Sequence, residues 1–244
     1  MPRFLNQKSL LLSFLLIVMA GAAPAQILLS GGYQVGGYTG GLRNLDTWSL
    51  ELNRSARSVE QAMHWNNTFQ GLAFRVCTIN DSHVMYGLGF NNRHTILEAR
   101  YTDAAGVAMR SAFRPRLNEL NVIVGYAWLD GRVRAGASLD FGSYTFARRD
   151  AAAAEFDASP WHPFHNGDPD FLNSGRGTYT LGTTFFVELA PFSKRGAGFT
   201  LRPYYQWQAL PPSMFGRYGT LDPDGYEYFL SNVGIEANWA LCFD

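Results

Sequence analysis

Along much of this chain, large apolar residues alternate with small or polar ones at a period of two, which is the signature of β-strands with one greasy face. Leu120, Val122, Val124, Tyr126 and Trp128 alternate with Asn121, Ile123, Gly125 and Ala127. Val133, Ala135, Ala137, Leu139 and Phe141 alternate with Arg134, Gly136, Ser138, Asp140 and Gly142. The pattern returns at Tyr179 to Leu189, at Phe199 to Trp207 and at Phe229 to Phe243. Eight strands are predicted, over 28–38, 69–79, 83–103, 110–129, 132–147, 176–191, 199–209 and 226–243. Asn91-Asn92-Arg93 has turn chemistry and Pro115 interrupts the strand that follows, so ten strands remain an alternative.

The links between strands alternate between long and short. Asn80-Asp81-Ser82, Asp130-Gly131 and 193–198 are short, whereas 39–68, 148–175 and 210–225 are long. An even number of strands, with short turns at one end and long loops at the other, is the plan of a closed transmembrane barrel. In a soluble barrel the large apolar residues fill the interior. Here the second face carries Gly, Thr, Asn and charged residues in nearly every strand, so the inverse arrangement is expected, with polar groups inside and apolar groups toward lipid. Alternation by itself does not distinguish inside from outside, and a secreted all-β protein with a conventional core is the competing reading.

The first long link has a different period. Leu45, Trp48, Leu52, Ala56, Val59 and Met63 lie three or four apart, interleaved with Glu51, Arg54, Arg57 and Glu60. That predicts an amphipathic helix over about 44–65 in the first outer loop, either covering the barrel mouth or meeting a partner. Trp128, Phe192, Phe199 and Phe243 gather beside the short turns, as an interfacial aromatic girdle would.

The N-terminus fixes the expected compartment. Arg3 and Lys8 precede an apolar stretch from Leu10 to Gly21, and Ala23-Pro24-Ala25 supplies a small-x-small cleavage site. Residues 1–25 are therefore expected to be a signal peptide and 26–244 the barrel domain. Twenty Lys+Arg against 20 Asp+Glu gives a formal charge of zero, which argues against a nucleic-acid partner. Two cysteines exclude a disulfide-dense scaffold. Cys77 and Cys242 are expected to face inward on strands separated by the first strand, roughly 9–10 Å apart, and so to be unbridged.

With these residues in view, the chain resembles the small monomeric outer-membrane β-barrels of Gram-negative bacteria, similar in plan to the OmpA transmembrane domain, and Gln26 after the leader suggests the Bacteroidota version. The most specific likeness is the last strand, where Trp239, Leu241 and Phe243 match the terminal signal read by the barrel assembly machinery. The match departs at Asp244, which follows the final aromatic. The resemblance implies an outer-membrane location, contact with outer-membrane lipid and porin-like architecture, and it assigns no function.

Seven charges fall on the expected inner face: Arg75, Glu119, Arg134, Asp140, Glu188, Arg202 and Glu236. An eight-stranded ring is wide enough only for side chains to fill it, so these are expected to pair with one another, with a narrow channel for ions or small solutes as the alternative. Enzymatic chemistry has little to stand on. Asp81-Ser82-His83 has the residue types of a nucleophile and base but sits in a short turn. His162, His165, Asp168 and Asp170 have metal-binding types, but Asn166-Gly167-Asp168-Pro169 reads first as a turn. No cofactor, metal or catalytic residue is expected. The predicted role is structural or interactive, with outer loops displayed on a rigid barrel to a surface or envelope protein. A lipid-modifying enzyme is a remote third possibility.

Overall fold

The computed structural model describes residues 26–39, 58–63, 68–163, 178–191, 197–209 and 231–243. The barrel is built from β1 (Gln26–Tyr38), β3 (Thr68–Ile79), β4 (Val84–His94), β6 (Ala108–Trp128), β7 (Val133–Ala152), β9 (Thr178–Leu189), β10 (Gly198–Ala209) and β11 (Asn232–Phe243). Each pairs antiparallel with its neighbours, and the ring closes through β1 against β11 and β6 against β7. Eight strands therefore form a closed barrel with no free edge in the ring.

The turn chemistry predicted from sequence closes the short-turn end. Val84 N–H donates to the Asn80 side chain at 2.9 Å, and His83 takes a left-handed backbone at φ 64°. Leu129, Asp130 and Gly131 are all left-handed, with Gly131 N–H bonded to Trp128 O at 3.0 Å. Both chain ends of the barrel, near Gln26 and Phe243, lie at this same end, since Ile27 pairs with Phe243.

Asn91-Asn92-Arg93 is not a turn. These residues continue β4 and pair with Glu119, Asn118 and Leu117. The interruption comes two residues later, where β4 gives way to β5 (Leu97–Thr102) without a change of register against β6. Pro115 explains it. Its carbonyl accepts from Thr95 N–H at 3.3 Å, but proline has no N–H to return, and the ladder lapses over Thr95 and Ile96. The ten-strand alternative falls away, because one broken strand takes the place of two.

The expected helix is corrected over part of its length. Residues 58–61 form β2 (Ser58–Gln61), an exposed strand in which Val59 pairs with Tyr101 of β5. Pairing satisfies backbone groups that a helix would have satisfied internally, and β-branched Val59 suits the extended form. Met63 is fully buried just beyond it. Leu45, Trp48, Leu52 and Ala56 lie outside the described residues, as do residues 1–25 and Phe192.

The two faces divide as the alternation requires. Outward residues such as Phe74, Val124, Phe185 and Trp239 are half-exposed, while Gln34, Asn121, Thr184 and Gln206 are buried inside. A soluble protein rarely leaves so continuous an apolar surface in water. Polar inside and apolar outside is the arrangement that a barrel surrounded by hydrocarbon requires. At the long-loop end β6 and β7 run on past this belt as a hairpin ending at Met109 paired with Ala152. On it, β2, β5 and the short β8 (His162–Pro163) complete a rim sheet.

Candidate functional site

The lumen is built in layers. At the short-turn end Leu28, Ile79, Met85, Ile123, Ala127 and Phe186 form an apolar floor. All seven charges expected inside are there, and none is more than 5% exposed. Arg75 bonds to Glu236, Arg202 lies 3.8 Å from Glu236 and 3.9 Å from Glu188, and Arg134 reaches Glu188 at 2.9 Å. One continuous chain of ions results. The Arg202 guanidinium also stacks on Phe186 at 3.5 Å, tying the ionic layer to the floor. Thr200 and Asn238, cross-strand neighbours on the inner wall, have side-chain atoms with no protein hydrogen-bond partner.

Above this layer sits a second one centred on a residue the sequence reading missed. Arg93 lies 3.3 Å from Glu119, donates to Gln34 at 2.9 Å and to Asn232 at 3.3 Å, and also bonds to Gln206. Its addition makes the interior four cations against four anions. Asp140 accepts from Asn121 at 2.7 Å, Ser138 at 2.6 Å, Gln206 at 2.9 Å and Thr184 at 2.5 Å. These four hydrogen bonds satisfy the buried Asp140 carboxyl from β6, β7, β9 and β10 without a direct ionic partner among the described residues. Chemically, the arrangement fills the barrel and cross-braces facing strands.

Of the other sequence candidates, Asp81, Ser82 and His83 are exposed in their turn, and the His83 ring lies edge-on to Tyr126 at 6.0 Å. His162 stands in β8, whereas His165, Asp168 and Asp170 lie outside the described residues. Cys77 and Cys242 both pair with Leu28 from opposite sides and form no disulfide. Trp239, Leu241 and Phe243 all point outward.

The rim carries a second cluster, also missed. Phe156, in a 3₁₀ turn over Phe156–Ala158, lies under Arg110 at 4.2 Å and Arg149 at 5.4 Å. Trp161 lies between Arg149 at 4.7 Å and Arg114 at 4.4 Å. Arginines and rings thus alternate along the outer side of the hairpin. Only the spacing of Arg110, Arg114 and Arg116 on one strand face hinted at it, since the rings return from a loop.

No family model matches this chain, and no curated protein does. Among solved structures, the chain is similar to Ail, the attachment invasion locus protein of Yersinia pestis, solved in complex with the heparin analogue sucrose octasulfate. That match has a TM-score of 0.42 and 8% identity, covering 90% of this chain and 100% of Ail. A second Ail structure matches at a TM-score of 0.40, again with 8% identity and the same coverage. The barrel's own geometry, rather than this distant likeness, carries the reading that follows.

Proposed function

We propose that this chain is a non-enzymatic barrel of the bacterial outer membrane that displays its rim sheet and outer loops to a surface or envelope protein. One observation carries the reading. The lumen charges are drawn into a buried network over an apolar floor, while β6 and β7 continue beyond the apolar belt as a braced platform. A filled interior favours display over conduction, and loops on a rigid scaffold are where recognition concentrates. On this reading residues 1–25 are the export leader, the outward apolar belt meets outer-membrane lipid, and Trp239, Leu241 and Phe243 address the assembly machinery.

The test combines a heat-mobility gel of the protein refolded into lipid vesicles with conductance recording in a planar bilayer. A heat-shifted, electrically silent barrel is expected. Steady conductance proportional to salt would replace display with the channel reading. Photo-crosslinkers at the exposed rim residues Val59 and Val107 in intact cells should then yield protein adducts absent from a crosslinker at the belt residue Val124. Identical products at rim and belt would overturn the display role.

A further inference from the structure

Across the outer wall, Trp239, Gly31, Phe74, Phe90, Leu120 and Phe141 are successive cross-strand partners. Gly31 alone in this row has no side chain. A groove of about 700 Å³ opens there, between Leu29, Phe74, Val76, Leu88, Trp239 and Leu241, and reaches Phe90 and Leu120. Its walls are almost wholly apolar. Following β4 and β6 outward from Phe90 and Leu120, the next outward pair is Asn92 with Asn118, and the one after that is His94 with Arg116.

Beyond that point the described cations divide into those with a carboxylate partner and those without one. Arg110 has Glu98 and Asp157, and Arg148 has Asp150. Among the described residues, no carboxylate lies within ion-pair distance of Arg114, Arg116 or Arg149. Arg114 and Arg149 stack on the ring of Trp161, and the polar side chain beside Arg116 is the neutral amide of Asn92. Arg114 and Arg116 therefore share the outward face of β6 at the upper margin of the apolar belt, and Arg149 of β7 joins Arg114 across the ring of Trp161. Arginine is the side chain best suited to grip phosphate oxygens in a bidentate manner.

We propose that the groove at Gly31 and the Arg114, Arg116 and Arg149 cluster form one binding site for a phosphate-bearing acylated lipid of the surrounding leaflet. The phosphate meets the guanidiniums and an acyl chain runs down β4 and β6 into the groove. The dimensions agree. Four residues from Arg116 to Leu120 span about 13 Å along the strand, or about 10 Å of depth at a typical barrel tilt. One leaflet offers about 15 Å of hydrocarbon, so the lower part of the chain reaches the groove. The charge cluster lies on the wall and is continuous with the apolar belt, which selects a lipid over a soluble anion arriving from the aqueous side.

The proposal rests on the membrane reading above, and the experiment separates the two. The full mature barrel is refolded into phosphatidylcholine nanodiscs and insertion is checked by the heat-mobility shift. Retention of phosphorylated lipid A is then compared, by native mass spectrometry, with retention of the same lipid after phosphatase treatment. Wild type should hold the phosphorylated form roughly tenfold more strongly. Arg116→Gln with Arg114→Gln should remove that preference, and Gly31→Leu should lower retention with the heat shift intact. Equal retention of both lipids by an inserted barrel, or variants without effect, would overturn the site and leave the membrane reading standing. Displacement by inorganic phosphate as effectively as by the lipid would assign the cluster to a soluble anion and overturn the lipid. A wild-type chain that never inserts would overturn both.

Discussion

Arg93 and Glu119 meet at 3.3 Å in the middle of the barrel, and neither is more than 1% exposed. The guanidinium lies between the rings of Phe69 and Tyr204, 5.3 and 5.1 Å away, and Glu119 accepts from Gln206 and Gln208 at 2.7 and 2.8 Å. Removing one member strands the other charge in a low-dielectric interior. Arg93→Met should therefore cost about 3–5 kcal/mol, and the double variant Arg93→Met with Glu119→Gln should recover much of that loss. Equilibrium urea unfolding in lipid vesicles measures it. Additive losses in the double variant would show that the two residues are not coupled.

What could be read from sequence follows from what sets each feature. Strand alternation is a property of the pleat, so inner and outer faces were legible along β6, β7 and β11 without knowing their partners. Short turns at Asn80 and Gly131 carry local chemistry and were legible for the same reason. Arg93 was hidden because Asn91 and Asn92 carry turn propensity. Extending the parity of Tyr86, Leu88 and Phe90 would have placed it inside and balanced the interior charge. The helical spacing of Val59 and Met63 misled because a tertiary partner, β5, decides the conformation of 58–61. The cation-aromatic ladder joins residues from a strand and a returning loop, and no local pattern encodes that meeting.

Gly71 is a position where a side chain has no room. It faces inward and pairs with Arg93, and a Cβ there would fall 1.6 Å from Asn92 O, a backbone atom. At Gly31 the nearest atom is the Phe74 ring at 3.1 Å, the end of a movable side chain. Gly71→Ala should lower the folded, heat-shifted fraction and destabilise the barrel by about 1–3 kcal/mol, while Gly31→Ala should refold normally. Equal refolding of the two variants would mean that the β3–β4 approach relaxes easily.

Cys77 and Cys242 flank Leu28 on the inner wall, with Cys77 3% exposed and Cys242 half-buried. Two strand spacings are roughly 9–10 Å, beyond a disulfide's reach. The folded protein should migrate identically with and without reductant, and Cys77 should resist maleimide until the barrel is unfolded. A mobility change on oxidation that depends on both cysteines would contradict the β3–β1–β11 order.

Phe156 is 3% exposed although it belongs to a rim turn, because Arg110 and Arg149 cover it. The turn's own backbone bonds, Ala158 N–H to Glu155 O and Ser159 N–H to Phe156 O, are each 3.2 Å and too local to hold it against the hairpin. The ring and its two cations, together with Asp157 at 3.6 Å from Arg110 and the Ala153 N–H bond to Ala108 O at 2.9 Å, therefore set how often this segment opens. Phe156→Ala should raise hydrogen exchange and protease cutting around 153–161, by a local opening made easier by about 1–3 kcal/mol, with the barrel's heat shift unchanged. Should the variant exchange at the wild-type rate, the segment would be held by the β7–β8 pairing at Arg148 and His162 instead. Should the whole barrel loosen, the rim and the ring would be one cooperative unit, and the platform would owe its rigidity to the strands beneath it rather than to the ladder on its face.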